Sequence, residues 1–467
     1  MKAMNSPAVF ATISGACLVA LGSPEASASI WSLVLIAILL KWFWWSETPA
    51  VIPFLFFLPF IEIHTTVLQS FQENIALNAI YPNGGKTFWL ASLGLFFCAA
   101  AFKLSTRSIN WSKLSTKPVL TRAADDLSQK KVVLSVGIAL AFSTVIDRAI
   151  PYGSSVEQLQ YFTAGITSTC IFCFFLLYML TGRGHTIFWC MFLVYLGTSF
   201  YSFFSSWRTP FFLLLITSMS RYKEIKTTQI LGATPIIAPM FLLIFLWQTV
   251  KEEYREFLSG GHQSQQVVVS QSEALNKFGE LTLSALESNS LFEEAVVDAT
   301  YKRAGYLEYF SAAVTKVPKE IPYETGKLLN QSLNFSLVPR IINPNKGIKN
   351  DRAKVEKYTD FYFGVNSFSS FSLGHYCEAY IDWGPYGMMI HLFIYGLLGG
   401  LLFRITIKRY NNLNTLLLWG IIWVVMYPFG TFQQDMVTVL GRVVWGAVCH
   451  LFLFSPIYYR LDKFIRS

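Results

Sequence analysis

Charge is scarce in this sequence. Only 14% of its 467 residues are Asp, Glu, Lys or Arg, against roughly 25% in soluble domains, which excludes an ordinary water-coated globule. The seven cysteines offer no disulfide framework. Cys17, Cys98, Cys170, Cys173, Cys190 and Cys449 lie in apolar runs, where a thiol behaves as a small hydrophobe, and only Cys377 is outside them or at an edge. Cys170 and Cys173 have a metal-like spacing, but "TSTCIFCFFLLYML" supplies no further ligand, so packing explains them better. Also missing are a P-loop, an HExxH helix, a Cys/His metal set and a GxSxG turn. Tandem repeats, heptads and Gly/Ser linkers are absent as well, so nothing marks an appended soluble domain.

What the chain has instead is apolar length. Hydrophobic residues make up 53% and aromatics 16% of it. Apolar runs at 6–22, 29–46, 51–69, 86–103, 131–148, 160–181, 186–204, 208–220, 228–249, 384–404, 414–430 and 437–458 read as twelve spans, each near the length needed to cross about 30 Å of hydrocarbon. The expected fold is all-α and polytopic, with an N-terminal bundle over 1–249, a large outer loop over 250–383 and a C-terminal bundle over 384–467. Lys and Arg crowd the pieces at 103–131, 221–226, 404–409 and 460–466, whereas the short loops of the other side hold only Lys86, Arg148 and Arg208. The positive-inside rule then places both termini in the cytoplasm and the large loop outside. Lys2, the first apolar run and "ASA" at 26–28 also fit a cleavable signal peptide. We take the first span as retained; cleavage would leave every later orientation unchanged.

Within 250–383 the pattern changes. "SEALNKFGELTLSALESNSLFEEAVVDATYKRAGYLEYFSAAVTKV" spaces its apolar residues by three and four, which predicts amphipathic helix with Glu280, Glu287 and Glu293 on a solvated face. "YETGKLLNQSLNFSL" predicts a second helix, stopped by Pro339, and Pro344 forces another non-helical turn. The loop as a whole is slightly acidic, but 338–357 sets Arg340, Lys346, Lys349, Arg352, Lys354 and Lys357 against only Asp351 and Glu356. Such a cluster outside the membrane points to an anion at headgroup level.

Three constellations carry candidate chemistry. In "VPRIINPNKG" two prolines restrict the backbone around Arg340, whose fork suits phosphate, and Lys346 adds a point charge. A proline turn with solvated cations is the plainer reading. In "YSFFSSWRTPFF" Arg208 precedes a run short for a span, and Thr209 and Pro210 fit the first turn of a helix, so Arg208 and a helix N-terminus face one anion. An arginine reaching up to the headgroups fits the same residues. In "GHYCEAYIDWGPYG" His375, Glu378 and Asp382 are titratable at the membrane edge and Gly374, Gly384 and Gly387 allow close approach. Helix capping with an aromatic belt of Tyr376, Tyr380, Trp383 and Tyr386 is the alternative. Arg303, Arg255 and Arg442 could add positive charge on the outer side, and Glu62 and His64 could line a cavity inside the third run.

The order of these features resembles the O-antigen polymerase (Wzy-type) family. The match rests on Ser206 and Arg208, then Pro339, Arg340, Pro344 and Lys346 on one large outer loop, then Gly374, Glu378, Tyr380, Gly384 and Gly387 leading into the next span. It covers about 190–400 by motif and the remainder by topology only. Gly347 stands where a second proline often follows the lysine, and the helical stretch 262–300 is longer than usual. The resemblance implies a GT-C-like membrane glycosyltransferase of the bacterial inner membrane, metal-independent and inverting, without a cofactor. Its substrate would be undecaprenyl-pyrophosphate-linked oligosaccharide repeat units in the membrane lipid. A polysaccharide chain-length regulator is a further candidate partner, and no nucleic acid is involved. Arg208 and Arg340, supported by Lys346, would meet the charge developing on the lipid pyrophosphate; Glu378 or His375 would serve as general base. Arg303, Arg255, Tyr380, Asp382 and Arg442 would contact the pyrophosphate or the glycan. An O-antigen ligase shares the donor and the multispan plan, and a flippase of lipid-linked sugars is the rival of a different class, although paired intramembrane charges and repeat symmetry are not visible.

Overall fold

The computed structural model describes residues 19–44, 47–111, 114, 116–149, 157–200, 207–221, 227–261, 267–288, 293, 296, 300, 302, 304–338, 343, 351–362 and 372–466. Among them every regular element is helical, and the only β pairing is an isolated bridge between Leu127 and Arg466. The described helices up to the start of the polar segment are α1 (Ala26–Phe43), α2 (Val51–Glu73), α3 (Leu77–Ile80), α4 (Gly84–Thr106), α5 (Lys117–Asp125), α6 (Gln129–Ala149), α7 (Glu157–Thr181), α8 (His185–Phe200), α9 (Arg208–Ser218) and α10 (Thr227–Leu258). Within it lie α11 (Gln271–Glu287), α12 (Leu307–Lys316), α13 (Lys327–Leu337) and α14 (Asp351–Tyr358). Then come α15 (His375–Arg409), α16 (Thr415–Met426), α17 (Met436–Val448) and α18 (Ser455–Ile465).

Seven helical stretches among the described residues are long and apolar enough to cross a membrane: α1, α2, α4, most of α6 and α7, α15, and α17 with its continuation to Leu453. Helix α8, and α16 with its extension to Gly430, are apolar but shorter. The first apolar run, 6–22, falls almost wholly outside the described residues. The chain is thus an all-helical protein with several helices suited to membrane crossing.

The most extensive packing is between α4 and α15, and small residues make it close. A side chain at Gly396 would meet the Cys98 carbonyl at 2.1 Å, one at Gly400 the Ser105 Oγ at 1.8 Å, and one at Gly94 the Leu392 side chain at 2.6 Å. Residue numbers rise together along both helices, so they run parallel. In lipid, where burial of apolar surface gives helices no net attraction, this kind of backbone approach supplies the contact.

Helix α15 breaks at Gly384, which takes φ +68° and ψ −168°. Pro385 has no N–H to give the Ile381 carbonyl. Glu324 N donates to that oxygen instead at 3.0 Å, and Thr325 N donates to the Asp382 oxygen at 2.8 Å. The Tyr323 ring fills the space where a Cβ on Gly384 would stand, 2.9 Å from it. The polar segment therefore plugs a kink in α15 with its own backbone.

A second plug enters from α12, whose Leu307, Phe310, Ala313 and Val314 are buried. Tyr306 N donates to the Glu62 carbonyl of α2 at 3.1 Å, and Ser311 Oγ donates to the Pro82 carbonyl. Glu62 itself is buried, while His64 stacks on Phe60 and shares hydrogen bonds with the Phe60 carbonyl and Ser92.

Candidate functional site: a buried cation between two carboxylates

The "GHYCEAYIDWGPYG" motif opens α15 and runs through the kink at Gly384. Gly374, at φ +80°, precedes the helix where a Cβ would lie 2.8 Å from the Phe432 carbonyl. His375 N donates to the Gln434 carbonyl at 2.8 Å, tying this turn to the segment before α17. Glu378, one turn on, is fully buried. Its Oε2 accepts from Met436 N at 2.7 Å and its Oε1 accepts from Lys354 Nζ at 2.7 Å.

Lys354 comes from α14, immediately after the basic loop. Its Nζ also reaches Asp435 Oδ2 at 3.3 Å, and Asp435 Oδ1 caps α17 by accepting from Thr438 N at 3.2 Å. Asp435 is 1% exposed and Lys354 21%. One cation thus lies between two buried carboxylates, which also accept from N–H groups of the α17 first turn. Burial works against the ammonium, but the Glu378 and Asp435 carboxylates outweigh it and hold its pKa above the ordinary 10.5.

A neighbouring cluster repeats the device closer to solvent. Glu324 accepts from Lys357 Nζ and from Tyr358 Oη, which hold its carboxyl down at about 2. Asp382 is fully buried and both its oxygens serve α13: Oδ1 accepts from Leu328 N at 2.9 Å and Oδ2 from Leu329 N at 2.8 Å. Tyr380 is buried too, its hydroxyl donating to the Val317 carbonyl at 2.9 Å.

At its far end α13 docks on α17. Ser336 Oγ donates to the Val437 carbonyl at 2.8 Å, and Trp445 Nε1 donates to the Ser336 carbonyl at 2.7 Å. The basic stretch therefore leaves from a helix fixed on α17 and continues into a helix fixed on α15 and α17 through Lys354. Arg442 lies on α17 between Val437 and Trp445, half-buried, donating to Gln434 Oε1 at 2.7 Å.

The remaining candidates are dispersed. Arg208 opens α9 with its side chain exposed, and α9 packs mainly on α7 rather than on α15 or α17. Arg255 lies on α10 with its guanidinium 6.0 Å from the Trp247 ring centre. Arg303, Arg340 and Lys346 are outside the described residues. His375 is 2% exposed, edge-on to Tyr376 at 4.7 Å, and neither ring nitrogen has a hydrogen-bond partner. Among the described residues no three His, Cys, Asp or Glu side chains are grouped to hold a metal ion.

The sequence reading missed the two partners of Glu378. Lys354 stood in it only as one of six cations in the 338–357 cluster. Asp435 carried a local signal, since "DMVT" ahead of an apolar run has the spacing of an N-cap. That signal gives the cap but not the lysine.

A family model described as a domain of unknown function, DUF8712, matches residues 112–451. Neither a curated protein nor a solved structure matches the chain.

Proposed function

The chain belongs to the DUF8712 family, whose description names no activity, and we propose from its own residues that it is a membrane glycosyltransferase polymerising undecaprenyl-pyrophosphate-linked oligosaccharide repeat units. In this reading it is a twelve-span, GT-C-like protein of the bacterial inner membrane, with both termini cytoplasmic and 250–383 periplasmic. The parallel course of α4 and α15 is what that span order requires of 86–103 and 384–404.

The carrying observation is the anchoring of both flanks of the basic stretch on α17, by Ser336 on one side and by Lys354 on the other. The second anchor joins it to Glu378 at the head of α15. The helix that follows the basic stretch thus meets the head of α15 through one buried ion pair. Arg442, on α17 between the two anchors, adds charge to that helix. A hydroxyl of one repeat unit attacks the anomeric carbon of another, the bond from that carbon to the pyrophosphate oxygen breaks, and lipid pyrophosphate leaves. Arg340 and Arg208, with Lys346, meet the charge growing on it. The acceptor proton goes to a base. Glu378, with both oxygens engaged by Lys354 and Met436 N, and the buried His375 one turn before it are the candidates for that base.

The test uses full-length protein in nanodiscs with lipid-linked repeat units as the sole substrate. A ladder of polymer on the lipid is expected, and Arg340→Ala or Arg208→Ala should each slow it about 10²–10³-fold. Unchanged polymer length and amount in both variants at normal expression would sink the catalytic reading. Product appearing only when a lipid A core is added would make the chain a ligase.

A further inference from the structure

At Gly384 helix α15 does more than bend. The His375 and Tyr395 rings lie 5.2 Å apart, although twenty residues of straight helix would separate them by about 30 Å. Trp383 stacks on His391 at 5.2 Å. A Cβ at Gly94 of α4 would meet Leu392 at 2.6 Å, Met388 at 3.1 Å and Tyr376 at 3.5 Å, so both sides of the kink converge on one point of α4. The arm 375–383 therefore folds back along the arm 385–409.

The longer arm sets the depth. Ile390, Ile394, Leu398, Leu401 and Ile405 are exposed and recur every three or four residues. That is the lipid-facing stripe of a helix long and apolar enough to cross a membrane. Exposed Tyr386 stands one turn above the stripe, as interfacial aromatics do, and Lys408 and Arg409 close the other end. Tyr395 then lies roughly 13 Å below Tyr386 at 1.5 Å per residue. The fold-back carries His375 down to the same level.

There two buried polar groups stand together without a bond. Tyr395 is 7% exposed and His375 2%, and neither the Tyr395 hydroxyl nor either His375 ring nitrogen has a hydrogen-bond partner. The Thr431 and Gln434 carbonyls come near the His375 ring but not in line with its nitrogens. Nearby hydroxyls are satisfied: Tyr376 bonds to the Cys98 thiol, and Tyr380 donates to the Val317 carbonyl. Buried polar groups without a protein partner bond to internal water as a rule, and such a water takes about two to four polar contacts. The ring nitrogens, the hydroxyl and the carbonyl oxygens supply that number.

We propose that the angle between the two arms of α15 holds internal water at hydrocarbon depth, bonded to the Tyr395 hydroxyl and to a His375 ring nitrogen. The Thr431 carbonyl, itself beside the ring, is the acceptor for the remaining water proton. Enclosure by protein is what lets water persist at that level of a membrane. The site lies one turn from Glu378, so it extends the polar interior around Lys354 down into the spanning part of the bundle. It stands whether or not the chain is a glycosyltransferase.

The experiment is radiolytic footprinting of the full-length protein in nanodiscs, where X-rays convert water, bound water included, into hydroxyl radicals that oxidise the side chains beside it. Tyr458 is the reference of the same chemistry, fully buried with its hydroxyl shared with His450 Nδ1 at 2.7 Å. Tyr395 should be oxidised several-fold faster than Tyr458. Tyr395→Phe keeps the ring and removes one partner of the water, so its thermal midpoint should fall by a few degrees. A hydroxyl bonded to nothing would give the opposite sign, because its removal takes away an unsatisfied buried group. A direct bond between Tyr395 and His375 would also lower the midpoint, but it would leave Tyr395 oxidised no faster than Tyr458. Either oxidation at the Tyr458 rate or a Tyr395→Phe midpoint at or above the native one overturns the proposal.

Discussion

The two halves of the 250–383 segment are held by different physics. Residues 304–338 and 351–358 enter the bundle: Tyr306 bonds to the backbone of α2, Glu324 and Thr325 satisfy carbonyls freed at the α15 kink, and Lys354 joins buried carboxylates on two helices. Residues 267–288 touch α10 and the rim of α8, and bury a small core of their own. Both halves are helical and polar, so composition does not separate them. What separates them is whether a buried polar group on one side lacks a partner without the other. In the first half the bundle needs the segment, because removing it would strand Glu378, Asp435 and two main-chain carbonyls. In the second the segment needs only α10.

The largest effect should come from removing the cation. Lys354→Ala leaves Glu378 and Asp435 facing each other in a buried site, a loss of about 3–5 kcal/mol, read as a drop in the thermal midpoint of the full-length protein. Glu378→Gln keeps the Lys354–Asp435 pair and should lose less. Equal losses would show that the three groups do not act as one cluster. The Lys354 pKa is raised, so its contribution is fully present below the ordinary 10.5 and is lost only as pH rises through the higher folded value. The Lys354 contribution to the native protein should therefore stay constant between about pH 7 and 9, whereas Lys354→Ala, whose facing carboxylates resist ionising together, should lose further stability as pH rises.

The kink comes next. Gly384 has backbone angles that a residue with a Cβ holds only at about 1–3 kcal/mol, and alanine there would also press on the Tyr323 ring. Gly384→Ala should lower the midpoint, and the further loss should shrink in a Tyr323→Ala background, where only the backbone share remains. If the loss is the same in both backgrounds, Tyr323 is not filling the kink and the plug is weaker than its hydrogen bonds suggest.

These interactions mark where sequence reading stops. The helices were legible because an apolar run is a local property: 51–69 became Val51–Glu73 and 86–103 became Gly84–Thr106. Pro339 was legible as a stop, and α13 ends at Leu337. Gly374 and Gly384 were legible as points of close approach, though not what approaches them. Pairing across sequence was not legible. Lys354 lies 24 residues from Glu378 and 81 from Asp435, and a lysine in a basic stretch reads as one more free cation. Asp382 likewise read as a titratable group at the membrane edge, because the α13 N–H groups that occupy it lie more than 50 residues upstream.

The smallest effect should fall on the other half and stay there. Ser270→Ala removes the side chain that accepts from Glu273 N and frees Glu273 from its return bond, a loss of about 1 kcal/mol. Since α11 shares its core only with α10 and its aromatic rim, that loss should appear as faster amide exchange within 271–287. The thermal midpoint should stay where it is, because the bundle retains its own contacts when α11 opens. Lys354→Ala should behave in the reverse way, lowering the midpoint and speeding exchange in α14, in the first turns of α15 and at the start of α17 together. A midpoint shift from Ser270→Ala as large as that from Lys354→Ala would mean that the hairpin and the bundle unfold as one unit. The two halves would then differ in composition of contacts but not in cooperativity.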